Sequence, residues 1–393
     1  MNERLIILAL GLSSPGTMGG NSKITIEAAR CLASTREVHF ILPQGKLSTL
    51  TNNVPADHKI HIHTLEDFPG GDKYHPFAST RFFTKRLRSL FQELAIGPHD
   101  LVYACSDFHI DVVPLFILQK QFGFLWLPSV FLFVPNLIEN LVRGYRFPPF
   151  KYLIYWFYQR ALFFLMKRRA FGFVVTNRSD FARFPKRFQG RLFDWYGGVN
   201  VEQIPTEPRQ KCRDVVFCSR LHPQKGIDAF LNVWSLVHAR LPTARLSVIG
   251  NGEPDYEHAL KDKAKRLGFA QTIDWLGYVN NQAKFNIYSE AKVFVHPTVF
   301  DNNGMVAAEA LCTGLPVVLQ DLPALRDVYT IGCLKVPFGD RSAFAAAIVS
   351  LLENRDKCAA VAPTAEQIQR LRAQWNWTAR SAAFDAWLNQ CKR

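Results

Sequence analysis

Residues 297–316 read Pro-Thr-Val-Phe-Asp-Asn-Asn-Gly-Met-Val-Ala-Ala-Glu-Ala-Leu-Cys-Thr-Gly-Leu-Pro, and an apolar run typical of a buried strand lies on each side of them. Gly304 precedes an apolar segment that predicts a helix over 305–312, which Gly314 ends. An acid at Asp301, a glycine that permits close backbone approach and a helix N-terminus with free N–H groups suit an anionic, hydroxyl-rich ligand. The stretch therefore predicts the strand, helix and strand unit of a parallel sheet, with a binding loop at its edge.

The same alternation of strand-like runs and helix-length segments occurs in two series along the chain. The segments are 5–10, 22–33, 37–42 and 101–104 in the first series, and 215–218, 227–241, 246–249, 293–296 and 316–319 in the second. Repetition of this kind predicts an α/β protein whose parallel sheets carry helices on both faces. A polar stretch at 202–213, with Pro205 and Pro208, has the composition of a linker. We predict a domain boundary near residue 205.

The size and composition of the chain exclude several classes of protein. It has 393 residues, of which 48% are hydrophobic and 13% aromatic, and a formal net charge of +14. This length suits two or three domains and excludes a mini-protein, while the composition excludes wholesale disorder and a collagen-like structure. The excess of positive charge predicts an anionic partner, which leaves nucleic acid, a membrane surface and a phosphorylated substrate open.

Most of that charge lies in one segment, residues 140–191, which contains twelve Lys and Arg residues and a single acid, Asp180. The segment also holds fifteen aromatic residues. Within it, 152–169 resembles an interfacial helix whose aromatic side chains enter the headgroup region while its cations meet lipid phosphate. A membrane-spanning helix is not favoured, because Gln159 and Arg160 would lie at mid-membrane.

Two other interpretations of residues 140–191 stay open. In one, the helix packs against the protein's own core and the basic residues form a solvated face. In the other, aromatic and basic side chains stack on and neutralise nucleic acid, but no RNA-recognition or helix-turn-helix motif accompanies them. We expect contact with an anionic membrane surface and no nucleic-acid partner.

A loop after the strand 215–218 carries residues suited to a phosphate. Arg220 and Lys225 lie in this loop and Gly226 opens the next helix. Two fixed cations at the carboxyl edge of a parallel sheet can neutralise a diphosphate. Residues 248–252, Val-Ile-Gly-Asn-Gly, end another strand in a tight turn, which by itself is a weak signal.

Taken one at a time, these residues also have plainer interpretations. Arg220 and Lys225 can belong to a solvent-exposed loop, Asp301 can be an ordinary helix cap, and Glu309 can be a solvated helix residue.

The order of the motifs resembles the donor half of retaining family 4 glycosyltransferases, also called glycosyl transferases group 1. The motifs are R-L-x-x-x-K-G at 220–226, G-x-G at 250–252, L-G-Y-V at 276–279 and H-P-x-x-x-D-x-x-G-x-x-x-x-E-A-L at 296–311. This resemblance implies the GT-B fold, in which the parallel sheets of two Rossmann-like domains face across a cleft. It implies an acceptor-binding domain over 1–204, a nucleotide-sugar domain over 205–374 and a C-terminal helix, 375–393, that crosses back to the first domain.

The resemblance further implies roles for individual residues. Arg220 and Lys225 would bind the diphosphate, while Asp301 would contact the sugar hydroxyls and Glu309 the ribose. The family has Glu where this chain has the shorter Asp301. His109 is the candidate for the acceptor-side catalytic histidine, although a structural role stays open. The remaining donor contacts implied are Gly19, Gly20, Gly250, Tyr278, Val279, Asn303, Gly304, Met305 and Val306.

We therefore predict a retaining glycosyltransferase that uses a nucleotide sugar, UDP- or GDP-linked, and requires no metal or other cofactor. Fixed cations and helix N–H groups would stabilise the leaving diphosphate. The acceptor would be a sugar or a lipid-linked sugar, and the enzyme would be cytoplasmic and peripherally bound to the inner face of the cell membrane. Two alternatives are a soluble sugar acceptor and a non-catalytic protein of the same fold that binds a nucleotide sugar or a membrane.

Overall fold

A computed structural model describes residues 4–14, 18–54, 59–69, 76–135, 149–207 and 209–391. The contacts within the chain divide it into two compact units. One comprises Met1–Gly197 together with Trp377–Arg393, and the other comprises Gly198–Asn376.

The first unit has a sheet of short buried strands with helices in the connections. Its strands are β1 (Arg4–Leu8), β2 (Glu37–Pro43), β3 (Ile60–Leu65), β4 (Leu101–Ala104), β5 (Leu125–Val130), β6 (Phe173–Val175) and β7 (Leu192–Asp194). Its helices up to residue 197 are α1 (Gly20–Leu32), α2 (Leu47–Thr51), α3 (Pro76–Glu93), α4 (His109–Phe122) and α5 (Pro149–Arg169).

The strand order of this sheet is β3-β2-β1-β4-β5-β6-β7, and each pair of neighbours is parallel. The order reverses between β1 and β4, which is the switch point of a Rossmann-like sheet. Trp126 of β5 belongs to one buried apolar core that also contains Phe91 of α3 and Phe163 of α5. The continuous apolar runs of β1 and β2 follow from this burial on both faces.

The second unit repeats the pattern. Its strands are β8 (Arg213–Cys218), β9 (Leu246–Ile249), β10 (Ile273–Gly277), β11 (Ala291–His296), β12 (Val317–Gln320) and β13 (Cys333–Val336). Its helices are α6 (Ile227–Arg240), α7 (Pro254–Arg266), α8 (Asn281–Glu290), α9 (Met305–Cys312), α10 (Pro323–Arg326), α11 (Arg341–Glu353), α12 (Arg355–Val361) and α13 (Ala365–Trp375).

The second sheet has the order β10-β9-β8-β11-β12-β13 and is also parallel throughout. Its order reverses between β8 and β11, so the loops that follow these two strands flank its switch point. The helix predicted at 305–312 is observed over Met305–Cys312. The predicted α/β class with two Rossmann-like parallel sheets is therefore confirmed.

The last helix, α14 (Trp377–Cys391), belongs to the first unit. It packs against α1, and Arg36 donates hydrogen bonds to Asp385 and Asn389 on it. In the second unit, the N–H of Val199 donates to the carbonyl of Trp375 at 2.7 Å. The stretch after Gly197 is therefore held by the end of α13.

Helix α5 presents two different faces. Gln159, Leu162, Phe163 and Met166 recur at spacings of three and four residues and are buried. The opposite face carries Ile154, Phe157, Ala161 and Phe164 at the same spacing, and the three large side chains are 51–64% exposed. We call these four residues the outer stripe of α5.

Gln159 fixes the inner face of α5 to the rest of the unit. Its amide nitrogen donates to Asp107 and to the carbonyl of Leu132, both at 2.7 Å, and its oxygen accepts the N–H of Val134 at 2.8 Å. Gln159, the polar residue that interrupts the apolar sequence, is thus buried with both its amide nitrogen and its amide oxygen hydrogen-bonded. No helix in the described part of the chain combines the length and apolarity that crossing a membrane requires.

Candidate donor and acceptor sites

The loops after β8 and β11 meet at the switch point of the second sheet. Lys225, in the first loop, places its ammonium nitrogen 2.6 Å from Oδ2 of Asp301, in the second. Burial alone would raise the pKa of Asp301, but Lys225, His296 and the loop N–H groups outweigh it and hold this pKa well below its ordinary value. Asp301 is consequently ionised near neutral pH.

The other carboxylate oxygen of Asp301 organises its own loop. Oδ1 accepts the backbone N–H groups of Asn302, Asn303 and Gly304 at 2.9, 3.2 and 3.1 Å. Both oxygens of Asp301 are therefore engaged by the protein. The carboxylate shapes the loop that leads into α9 and positions Lys225 beside it.

Two buried rings support this loop. The hydroxyl of Tyr329 donates to the carbonyls of Asn303 and Gly304 at 2.7 and 2.8 Å. Burial lowers the pKa of His296 to about 4 against the opposing charge of Asp301, and Lys225 adds to the lowering. His296 is therefore neutral near pH 7. The sequence motif contained His296, but Tyr329 lies outside every motif and could not be found from it.

Two glycines allow the loops to approach one another. A Cβ on Gly226, whose φ is +74°, would lie 2.0 Å from the carbonyl oxygen of Pro297. A Cβ on Gly304, whose φ is +62°, would lie 2.7 Å from Nε2 of His296. Only glycine satisfies both the left-handed backbone and the contact at these positions, which brings Lys225 to Asp301 and opens the N-terminus of α9.

Glu309 lies in α9 and is paired with a residue that no sequence motif identified. The ammonium of Lys284, on α8, is 2.8 Å from its carboxylate, and the two side chains are only 11% and 16% exposed. Burial opposes the charge of Lys284, but Glu309 and Cys218 outweigh that effect and raise its pKa. Tyr278 contributes to the same electrostatic environment.

Further predicted donor contacts lie in loops and at strand ends of the same unit. Arg220 is exposed and, within the described residues, makes no hydrogen bond or ion pair, so its guanidinium is available to an anion. Tyr278 is 75% exposed beyond the end of β10, and Val279 follows it. The N–H of Gly250 donates to the carbonyl of Gly277 at 2.8 Å, which aligns the ends of β9 and β10.

The side chain of Asn303 is 7% exposed, and both of its amide atoms lack a hydrogen-bond partner in the described structure. Such a group is costly to bury, by about 1–3 kcal/mol. Next to it, Met305 and Val306 begin α9, whose first N–H groups have no acceptor within the helix. Hydrogen-bond donors without a partner in the described structure therefore cluster where this loop meets the start of α9.

The remaining predicted residues, Gly19, Gly20 and His109, lie in the first unit. Gly19 precedes α1 and its N–H donates to Oγ of Ser13 at 2.9 Å, while Gly20 is the first residue of α1. Residues 15–17, which precede Gly19, lie outside the described residues, as do Arg143 and Arg146 of the segment 140–191.

His109 begins α4 at the switch point of the first sheet and is 6% exposed. Its Nδ1 is hydrogen-bonded to the hydroxyl of Tyr158, and its Nε2 lies 3.3 Å from Oγ of Ser79. Burial lowers the pKa of His109, so the imidazole is neutral near pH 7. Sequence reasoning found His109 but not its partners, which lie on other helices.

Asp111, two residues further into α4, is fully buried. It accepts the N–H groups of Leu10 and Gly11 at 2.9 and 3.2 Å and the hydroxyl of Ser106. Burial raises the pKa of Asp111 to about 6 even though these hydrogen bonds favour the ionised form. This carboxyl holds the loop after β1 against the loop after β4.

The sequence profile described as Glycosyl transferases group 1 matches residues 212–354, which include Lys225, Asp301, Lys284 and Glu309. This part of the chain is therefore similar to the group 1 glycosyltransferases. The resemblance predicted from the motifs is thereby confirmed.

Two of the curated proteins similar to the chain are named as glycosyltransferases. The phosphatidyl-myo-inositol mannosyltransferase of Mycobacterium leprae is 32% identical over 166 residues, which are 40% of this chain and 43% of that protein. An uncharacterized glycosyltransferase of Haemophilus influenzae is 22% identical over 309 residues, 77% of each chain. The chain thus spans less than half the length of the mycobacterial protein it matches.

Two solved structures extend the similarity beyond the group 1 domain. Sucrose-phosphate synthase from Thermosynechococcus elongatus has a TM-score of 0.78 at 16% identity, covering 99% of this chain and 98% of that one. Anabaena HepE in complex with UDP-glucose has a TM-score of 0.73 at 18% identity, covering 98% and 99%. At these identities the likeness shows the fold alone, and the predicted GT-B fold is confirmed.

Proposed function

We propose that the protein is a retaining glycosyltransferase that moves a sugar from a nucleotide-sugar donor to a lipid-linked acceptor at a membrane surface. The observation that carries the proposal is the convergence of Arg220, Lys225 and the N-terminus of α9 at the switch point of the second sheet. A diphosphate placed there meets two fixed cations and unused backbone N–H groups. Anabaena HepE, which has the same fold, holds UDP-glucose, and this supports a nucleotide sugar as donor.

The reaction follows from where charge develops. As the bond between the anomeric carbon and the diphosphate oxygen breaks, negative charge accumulates on the diphosphate, and Arg220 and Lys225 stabilise it. The acceptor oxygen forms the new bond to the anomeric carbon. Its proton passes to the departing diphosphate oxygen, so the leaving group acts as the base.

The engagement of both site carboxylates favours a single step over a double displacement, and retention, which the family resemblance implies, then requires the acceptor to attack on the face from which the diphosphate departs. A double displacement requires a carboxylate free to attack the anomeric carbon. Asp301 is bound to Lys225 and to three N–H groups, and Glu309 is paired with Lys284. Both carboxylates are therefore held by cations of the protein before a donor binds. The positive charge that stabilises the leaving diphosphate, which a metal could otherwise supply, comes from Arg220, Lys225 and the N-terminus of α9.

The acceptor and the membrane contact are inferred from the first unit. The Mycobacterium leprae relative is named for a phospholipid, phosphatidyl-myo-inositol. The outer stripe of α5 exposes large apolar side chains, and Arg168 follows it with its guanidinium 4.4 Å from the ring centre of Phe164. Such a face suits the headgroup boundary of an anionic bilayer. We place the enzyme peripherally on the inner face of the cell membrane.

Replacing Ile154, Phe157 and Phe164 together with serine is expected to weaken binding to vesicles that contain anionic lipid by at least tenfold. Each buried apolar side chain of this size contributes about 1.5–3 kcal/mol when fully removed from water. Co-sedimentation with the vesicles measures the effect. The matched control is the pair Leu236→Ser and Leu267→Ser, which are 44% and 40% exposed in the second unit. Undiminished vesicle binding by the triple variant would locate the membrane contact elsewhere.

The proposed reaction is tested with purified protein, radiolabelled UDP-, GDP- and ADP-sugars and total membrane lipid. We expect label from one donor to enter the organic phase, and we expect Arg220→Ala to abolish most of that transfer. Arg266→Ala, which removes an exposed cation from α7, is the matched control. Label only in a water-soluble product would indicate a soluble acceptor. Tight nucleotide binding with no transfer to lipid or to soluble sugars would indicate a non-catalytic protein.

A further inference from the structure

A cavity of about 1650 Å³ lies in the first unit among α3, α4 and α5, at the carboxyl edge of its sheet. Pockets for small ligands usually measure about 300–1,000 Å³, so this cavity exceeds what a single sugar residue fills. Most of its wall consists of apolar side chains, including Phe68, Phe83, Val113 and Leu162. A wall of this kind favours hydrocarbon over a hydroxyl-rich ligand.

The polar groups in the inner wall satisfy one another. Ser79 and His109 are 8% and 6% exposed, and His109 is hydrogen-bonded to both Ser79 and Tyr158. An apolar ligand that displaces water from this part of the cavity therefore leaves these groups paired.

The rim of the cavity is positively charged. Lys46, Arg81, Lys85 and Arg88 line it, with Asp67 as the single acid among the lining residues. Lys46 donates to the carbonyl of Leu12, Arg88 to Gln121, and Asp67 accepts the N–H of Gly45.

Arg81 and Lys85 are exposed and, among the residues that the structure describes, their side chains make no hydrogen bond or ion pair. They stand one turn apart on α3, where like charges repel. An anion between them would remove this repulsion.

The apolar wall reaches the surface next to the outer stripe of α5. Ile154 belongs to both the stripe and the cavity wall and is 55% exposed. Phe77 and Ile117, on α3 and α4, also line the cavity and are 93% and 41% exposed. An apolar path thus leads from the face assigned to the membrane into the cavity.

We propose that this cavity takes up the hydrocarbon chain of a phosphate-headed lipid, whose phosphate binds Arg81 and Lys85. The inference rests on the proposed function and narrows its acceptor to a lipid whose chain leaves the bilayer and enters the enzyme. The cavity is large and apolar enough to hold the hydrocarbon chain. The two exposed cations on its rim can bind the phosphate.

Binding of farnesyl phosphate, measured by titration calorimetry, tests the proposal. The combined variant Arg81→Gln/Lys85→Gln is expected to weaken binding at least tenfold, and Lys59→Gln/Lys120→Gln, which changes exposed cations outside the cavity, is the matched control. Val113→Trp and, separately, Thr80→Trp fill the cavity and are expected to weaken binding by a similar factor. Circular dichroism and nucleotide binding identify any variant that misfolds.

Farnesol and inorganic phosphate separate the two parts of the ligand. We expect farnesol to bind more weakly than farnesyl phosphate, and phosphate alone more weakly still. Equal binding of phosphate and farnesyl phosphate, or unchanged farnesyl phosphate binding in both tryptophan variants, would overturn the proposal. Sugar transfer to extracted lipid that persists in both filled variants would also overturn it while leaving the proposed reaction intact. Farnesyl phosphate binding without transfer to any lipid would instead refute the reaction alone.

Discussion

Replacing Lys225 with alanine is expected to lower kcat for sugar transfer by about 10²–10³-fold, the usual cost of losing one group that stabilises charge in a transition state. Lys225 lies 2.6 Å from Asp301 at the switch point, where a diphosphate would draw its ammonium onto the leaving oxygen. Steady-state kinetics with the donor identified in the transfer assay measure the change.

The control for Lys225→Ala must exclude collapse of the loop. Asp301 keeps the three backbone N–H groups that it accepts in the absence of Lys225, so we expect the loop to persist. Lys225→Arg retains the charge and should recover part of the rate, and Lys265→Ala removes an exposed cation of the same unit. A Lys225→Ala enzyme with a rate within threefold of the original would show that the leaving group is stabilised elsewhere.

Replacing Glu309 with alanine is expected to lower the free energy of unfolding by about 3–5 kcal/mol, because it leaves the buried ammonium of Lys284 without its partner. The pair is separated by 2.8 Å, and Lys284 is 9% exposed as a residue. Urea denaturation monitored by tryptophan fluorescence measures the loss. A decrease below about 1 kcal/mol would mean that the ammonium finds water or another partner.

The double variant Glu309→Ala/Lys284→Met separates stability from function. It removes the uncompensated charge and replaces the lysine by an unbranched apolar side chain, so we expect most of the lost stability to return. If Glu309 also contacts the donor, nucleotide-sugar binding stays impaired in the double variant even though its stability has returned. Recovery of both stability and binding would assign Glu309 a purely structural role.

Much of the fold could be predicted because its signals are local. The sequence predicts β8, β9 and β11 from their apolar runs, and the turn and helix at α9 from the glycine before it. Each of these signals spans only a few residues. Once the strands are parallel and ordered as in a Rossmann sheet, the loops after β8 and β11 must flank the switch point. The positions of Arg220, Lys225 and Asp301 near one another follow from that rule.

What the residues do at these positions depended on contacts between distant parts of the chain. Asp301 is the case in point: its sequence context suggested a sugar contact or a helix cap, whereas its carboxylate holds Lys225 and the loop N–H groups. Lys284 is 25 residues from Glu309 on a different helix, and no periodicity or motif connects them. Partners such as these are brought together only when helices pack on the sheet.

Residues 140–191 also combine features that the sequence determines with features that only the tertiary structure determines. The sequence by itself determined that charge and aromatic residues concentrate at 140–191 and predicted a helix over 152–169 within that segment, since composition and period are properties of neighbouring residues. Only the tertiary structure decided that this helix buries Gln159 on one side and exposes Phe157 on the other. Which face is covered depends on where α4 and β5 lie. The cavity among α3, α4 and α5 exists for the same reason, because its walls come from segments that meet only in the folded protein.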